Sequence, residues 1–376
     1  MLVKAGPQYS VETQPAHLRE ASSGGQAIIM RIIIRSKDGT HTIDCEAGER
    51  VLYAGLRNGV PLPYECGTGT CGTCKGRLIE GEIQEMWAEA PGRAYLKPER
   101  GEFLMCQGAA RGPCEVMVPT RLPAPRANAI SPLHHRGTMG NVKELTHDVV
   151  SFEVDLQQPM DFHPGQFAVL KVPQVQGFRA YSMVNYERGA ERLKFVVKRK
   201  PTGRFSDWLF GTGAEGAAVE LFGPLGKAIF SIEEQRSVLC IAGGSGIAGM
   251  MSILSCAAQA RYFDHHRGFV FFGVRTMKDV FFLDELSKLV SMFPGKLEVT
   301  IAISDEDAPP HEQTNHPALA YATGLVHVVA AQKMSGRYDN TVAFVAGPPP
   351  MVDGALRALI LEARLPAADI RYDKFT

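Results

Sequence analysis

Glu65-Cys66-Gly67-Thr68-Gly69-Thr70-Cys71-Gly72-Thr73-Cys74 sets three cysteines at C-x4-C-x2-C spacing, and Cys106 follows after 31 intervening residues. Thiolates are soft ligands, suited to an iron–sulfur cluster or to zinc. The glycines between them let backbone approach a charged cluster closely and aim N–H groups at its sulfurs. Structural zinc sites pair two C-x2-C units or add histidines, whereas here the fourth cysteine stands single with no histidine near it. The spacing is the plant-type pattern of [2Fe–2S] ligation, with Cys66, Cys71, Cys74 and Cys106 as ligands. A zinc site and a metal-free group of buried thiols are the blander readings. Cys45, Cys114, Cys240 and Cys256 lack such spacing and read as small core hydrophobes.

Outward from this loop, 376 residues are too many for one ordinary core and imply two or three domains. Forty basic and forty acidic side chains cancel, so no global field favours nucleic acid or an anionic membrane. Residues 1–29 lack the apolar stretch of a secretory signal and read as a flexible leader. The uncharged run Ser237 to Ala260 contains Gly243, Gly244, Gly246 and Gly249, which suits a strand, a turn and a buried helix better than a membrane span. A soluble, cytoplasmic protein is expected.

Residues 30–120 are β-rich, with strands from Ile28 to Ile34 and through Ile43, a turn at Asp38-Gly39 and a short helix at Val51 to Asn58. Proline-rich residues 121–133 form a linker. Residues 134–231 carry antiparallel strand patterns at Val149 to Asp155, Gln166 to Val172 and Leu193 to Arg199, the signature of a small β-barrel. In residues 232–376, short apolar runs at Val238 to Ala242, Phe269 to Val274, Leu297 to Ile303 and Val342 to Ala346 alternate with helical stretches, which predicts a parallel α/β sheet.

Two groups of motifs sit on these elements. His163-Pro164-Gly165-Gln166-Phe167 and Arg179-Ala180-Tyr181-Ser182 offer an aromatic ring, a hydroxyl and a guanidinium, the groups that stack on, bond to and neutralise a flavin nucleotide. Alone, Arg179 to Ser182 is equally well read as a packed strand. Gly203-Arg204-Phe205-Ser206 opens a helix whose free N–H groups suit a pyrophosphate, a plain N-cap being the commoner meaning. Gly243-Gly244-Ser245-Gly246-Ile247-Ala248-Gly249 lies between a strand and a helix, as a dinucleotide turn requires. The acidic residue expected about 20 positions on is replaced by Gly273-Val274-Arg275, which disfavours a standard dehydrogenase. Gly347-Pro348-Pro349-Pro350-Met351 makes a further turn after a strand, read either as a ligand edge or as a proline-stiffened loop.

In this order the motifs resemble the ferredoxin–NADP reductase superfamily, specifically the reductase components of bacterial oxygenases that carry an N-terminal ferredoxin domain. The resemblance covers residues 30–376. It implies a multidomain α+β and α/β chain: a β-grasp ferredoxin domain, an antiparallel β-barrel flavin domain and a parallel α/β nucleotide-binding domain. It also implies that Arg179, Tyr181 and Ser182 hold FAD, that Gly203, Arg204, Phe205 and Ser206 bind its pyrophosphate, and that Gly243, Gly244, Ser245, Gly246, Arg275, Gly347, Pro348 and Pro349 bracket NADH. Phe375 either covers the flavin or packs on the surface. The sequence departs from the family at Ala346, usually cysteine, and at Gly249, usually proline.

A nicotinamide gives up two electrons together and a [2Fe–2S] cluster takes one, so a flavin that accepts pairs and releases singles must stand between them. The expected order is NADH, FAD, cluster, then a transient partner, either a terminal oxygenase or an intermediate ferredoxin. Ser182 is the candidate for influencing flavin N5. The alternatives are the flavin subunit of an NADH:quinone reductase, which needs a membrane helix, and a non-enzymatic zinc- and nucleotide-binding module on a decayed reductase scaffold.

Overall fold

The structure, a computed structural model, describes residues 2–4, 28–124, 128–211, 213–310 and 314–375. It divides into two compact units, Met1–Leu133 and His134–Thr376.

The first unit contains β1 (Leu2–Lys4), β2 (Ile29–Ser36), β3 (Gly39–Glu46), α1 (Val51–Arg57), β4 (Lys75–Glu80), β5 (Glu82–Glu85), β6 (Glu102–Leu104), β7 (Gly108–Ala110) and β8 (Cys114–Met117). Along β2 the side chains alternate, with Met30, Ile32 and Ile34 buried and Ile29 and Arg31 exposed, as a strand covered on one face must. The five-stranded sheet β3-β2-β8-β4-β6 is mixed, β2 and β8 running parallel. Leu52, Ala54 and Leu56 of α1 are buried, and Gly55 gives Leu62 room. A helix packed on such a sheet is the β-grasp arrangement. One expectation is corrected: Leu2–Lys4, expected within a flexible stretch, forms a strand paired antiparallel with β5. The remainder of the expected leader, residues 5–27, lies outside the described residues.

The second unit begins with β9 (Leu133–Thr146), whose first residue closes the preceding unit, followed by β10 (Val149–Met160), β11 (Phe167–Val172), β12 (Val175–Ser182), β13 (Ala190–Lys198), α2 (Arg204–Leu209) and β14 (Ala218–Leu225). They form an antiparallel half-barrel in the order β12-β11-β14-β9-β10-β13, around Phe152, Phe195, Leu170 and Leu221.

Next come β15 (Ser237–Gly243), α3 (Ile247–Gln259), β16 (Gly268–Val274), α4 (Leu283–Met292), β17 (Leu297–Ile303), β18 (Ala320–Thr323), α5 (Val326–Met334), β19 (Thr341–Gly347), α6 (Pro349–Arg357) and β20 (Ile370–Lys374). The sheet β18-β17-β16-β15-β19-β20 is parallel throughout. Its central strands are buried along almost their whole length, because helices cover both faces. Cys240 and Ala242 pack into one core with α3, while Leu239 and Ile241 pack into the other with α5 and α6. At the edge where these strands begin, Arg236 donates to Asp369 and to the Thr341 carbonyl, both at 2.6 Å, and Arg267 and Arg337 share Glu298. The proline-rich turn is also corrected: Pro349 starts α6, since a first helical turn needs no N–H bond there.

Candidate functional site

In the first unit the cysteine loop is built on left-handed glycines: φ is +66° at Gly67, +99° at Gly69 and +79° at Gly72, a region that penalises any Cβ. Gly92 donates to the Gly69 carbonyl at 2.9 Å and sits so close that its own Cβ would meet that oxygen at 2.8 Å. The Arg93–Glu85 ion pair anchors the same short turn. Cys74 and Cys106 are buried, with their sulfurs 3.1 Å apart. The Thr68 N–H points at the Cys66 sulfur at 3.4 Å. The Cys71 side chain lowers the Cys66 thiol to about 4 by hydrogen bonding, and the same bond pushes Cys71 up. Burial and the contact with Cys74 raise Cys106. Three thiols on one glycine-built loop, one of them already favouring the thiolate, with a fourth brought beside them at Cys106, fit a thiolate-ligated cluster. Tyr53 lies beneath, fully buried, its hydroxyl donating to the Gly67 carbonyl at 3.0 Å.

In the second unit Ser182 closes β12 opposite Phe167 and is buried. It faces the first turn of α3: a Cβ placed on Gly249 would stand 3.6 Å from the Ser182 hydroxyl and from the Gly165 carbonyl. Gly165 N–H in turn donates to the Ser252 hydroxyl of α3 at 3.3 Å. The loop at 163–167, the end of β12 and the start of α3 therefore converge. The departure at Gly249 lies at this meeting point, and it leaves ordinary van der Waals space beside Ser182. Tyr181 is half-buried with the Phe205 ring 5.2 Å away, which brings together two motifs more than 20 residues apart in sequence. Burial pushes its phenol upward.

Other expected residues are engaged locally. Arg179 donates to the Phe178 carbonyl at 2.9 Å and to the Gln176 carbonyl at 3.4 Å, on its own strand. The Ser206 hydroxyl accepts from the Lys200 N–H at 3.1 Å and donates to the Gly203 carbonyl at 2.9 Å, so it closes a turn rather than facing outward. Gly203 is the N-cap of α2, Phe205 is buried and Arg204 is exposed.

The nicotinamide motifs meet at the edge where the parallel strands end. Gly246 is pressed so tightly on β19 that a Cβ would sit 2.2 Å from the Ala346 carbonyl oxygen. A Cβ on Gly243 would contact Met351 and Pro348, and one on Gly347 would contact Gly243. Gly244 has φ of +54° with open space beside it, and Ser245 is half-exposed. Pro348 caps α6 and is exposed, and Pro349 begins that helix. Phe375 is half-buried, its N–H donating to the Gly347 carbonyl at 3.0 Å, so it lies at the same edge. Arg275 follows β16 and pairs with Asp148 and Asp279, two partners that sequence reasoning did not single out. Crowded glycines on neighbouring strand ends, with open space at Gly244 alone, fit a dinucleotide turn.

Three family models cover the chain in series: a 2Fe-2S iron–sulfur cluster binding domain over residues 34–111, an oxidoreductase FAD-binding domain over 137–230 and an oxidoreductase NAD-binding domain over 240–357. Together with the geometry they define an iron–sulfur flavoprotein reductase using FAD, a [2Fe–2S] cluster and NAD. Among curated relatives, a ferredoxin–NAD(P)(+) reductase of Metapseudomonas resinovorans is 34% identical over 340 residues, spanning 88% of this chain and 96% of the relative. The ferredoxin–NAD(+) reductase component of an alkene monooxygenase system from Xanthobacter autotrophicus is 32% identical, spanning 91% of this chain and 100% of the relative. A solved ferredoxin reductase of carbazole 1,9a-dioxygenase superposes with a TM-score of 0.77 at 31% identity, covering 94% of this chain and 100% of that one. The chain belongs to the ferredoxin–NAD(P)(+) reductase family, among the reductase components of oxygenase systems. Among the described residues no helix is long and apolar enough to cross a membrane.

Proposed function

We propose that the electrons leave the cluster for a terminal oxygenase or an intermediate ferredoxin, met transiently, and that Ser182 orients the reacting face of the flavin. When bound, FAD supplies the conversion of a hydride pair into single electrons. The chain's own groups do the positioning. Ser182 and the backbone of Gly165 and Gly249 fix the floor of the shared cleft, Tyr181 supplies an aromatic wall, and the glycine turn with Gly347 receives the dinucleotide at the strand ends. Cys66, Cys71, Cys74 and Cys106 hold the cluster. Residues 30–120, 134–231 and 232–376 serve as the three functional domains, with 121–133 as the connection.

The observation that carries the reading is the convergence of Ser182 with the first turn of α3 at Gly249, which brings the flavin and nicotinamide motifs side by side. Electron transfer needs no general acid or base here, and orientation within a dry site is the protein's contribution. Purified anaerobically, the protein should show flavin and iron–sulfur absorption that bleaches on addition of NADH, and an added oxygenase component should restore it. A colourless protein containing zinc would overturn the reading in favour of an interaction module.

A further inference from the structure

A guanidinium lies inside the first unit, against the segments that carry the cysteines. Arg50 is only 8% exposed and is the N-cap of α1. Its backbone bridges antiparallel to Ala109, three residues after Cys106. Two positions along, the Leu52 N–H donates at 3.0 Å to the carbonyl of Met105, the residue before Cys106. The start of α1 is therefore stitched to the segment of the fourth cysteine. The guanidinium carbon stands 5.3 Å from the centre of the Tyr53 ring, and the Tyr53 hydroxyl donates at 3.0 Å to the carbonyl of Gly67, the residue after Cys66. A single fully buried ring thus links Arg50 to the cysteine loop.

Burying a guanidinium costs free energy unless negative charge stands near it, and thiolates are negative charge of that kind. Burial and the neighbouring Cys74 raise the Cys106 thiol, and Arg50 is the cation that works against them. The Tyr53 phenol, pushed up by burial, is acted on both by Arg50 and by Cys106, Cys74 and Cys66. Charges held in this interior are screened far less than surface charges. An iron–sulfur centre gains one negative charge when it takes an electron, and its potential responds to the net charge around it. We propose that Arg50 sets the reduction potential of the iron–sulfur centre: its buried positive charge favours the state that carries the additional electron and so draws electrons from the flavin. The flavin is oxidised by one electron as the centre is reduced by one, and no bond forms or breaks. Arg50 ligates nothing and is a positioning residue for charge. The inference rests on the reductase reading and extends it to the energy of the electron at the exit.

The test is the midpoint potential of the [2Fe–2S] centre, measured by spectroelectrochemical titration of the anaerobically purified, full-length holoprotein. A unit charge acting across roughly 10 Å at an effective dielectric of about 20 changes an equilibrium about tenfold. Arg50→Gln should therefore lower the equilibrium constant for one-electron reduction about tenfold, a move of about 59 mV to more negative potential. Arg50→Lys keeps the charge and should recover most of that loss. Arg57→Gln, which removes a cation from the other end of α1 where Arg57 pairs with Glu49, should leave the constant within about twofold of wild type. An Arg50→Gln constant within twofold of wild type overturns the proposal, as does an equal fall in Arg50→Lys or in Arg57→Gln. Should Arg50→Gln fail to assemble the centre, Arg50→Met, uncharged and better suited to a buried position, carries the same expectation. Wild-type protein lacking iron and acid-labile sulfide would sink the reductase reading itself, whereas an intact centre whose potential does not move sinks only the role of Arg50.

Discussion

Replacing Gly246 by alanine tests whether the contact between the glycine turn and β19 holds the nicotinamide edge together. The added Cβ would lie 2.2 Å from the Ala346 carbonyl oxygen, 2.6 Å from its carbon and 3.0 Å from the Gly347 nitrogen. Ordinary contact begins at 3.4 Å, so the two segments must separate by about 1 Å. Backbone cannot rotate out of the way as a side chain can, and β19 is gripped on both sides by β15 and β20. Overpacking costs about 1–3 kcal/mol, and this case belongs at the upper end, ~3 kcal/mol. At roughly 2–4 °C per kcal/mol for a unit of this size, the melting temperature should fall by about 6–12 °C. Gly244→Ala provides the contrast: its φ of +54° is strained for alanine but its surroundings are empty, so the cost should be about 1–2 kcal/mol. Thermal unfolding of both variants, followed by the rise in flavin fluorescence, checks the order. If Gly246→Ala melts at or above Gly244→Ala, the packing argument is refuted.

Three further outcomes follow from the same geometry. Ser182→Ala should slow single-turnover flavin reduction about tenfold or more while changing FAD affinity less, and stopped-flow traces identical to wild type would remove Ser182 from its role. Gly249→Ala should raise stability by about 0.5–1 kcal/mol, because the new methyl meets only 3.6 Å contacts and the residue lies in a helix; denaturant titration showing destabilisation would contradict it. For Asp279, burial works to raise the carboxyl, but the Thr276 donors, Lys198 and Arg275 prevail and hold it below its ordinary value. Its folded pKa is therefore the lower one, so its stabilisation is complete above the unfolded value of about 3.9 and is lost as pH falls through the folded value. The stability gap between wild type and Asp279→Asn should be constant near neutrality and close below about pH 4; a gap that persists in acid would refute the assignment.

The parallel sheet was readable because β15, β16 and β19 are nearly unbroken apolar runs and β17 is interrupted only by Glu298 and Thr300, the mark of strands covered on both faces. The gathering of Cys66, Cys71, Cys74 and Cys106 was readable because their spacing restricts it. Strands that depend on their neighbours were not readable. β9 reads LHHRGTMGNVKELT, mostly polar, and is recognisable only once β10 and β14 flank it. β20 reads IRYDK and is held at the edge by its ladder with β19 rather than by propensity. The prolines after Gly347 suggested a loop because proline breaks helices in their interior, yet it is welcome in a first turn. The Asp148–Arg275–Asp279 node gave no local signal, since Asp148 lies 127 positions before Arg275 and 131 before Asp279.

The parallel sheet keeps its ionic fasteners and its crowded glycines at opposite ends. Arg236, Asp369, Arg267, Arg337 and Glu298 clamp the end where the strands start, away from the end that carries the glycine turn. Durability and turnover can therefore be tuned separately in this domain: a laboratory selecting for heat tolerance has a rim to reinforce that lies a full strand length from the chemistry, where improvements need not be traded against speed.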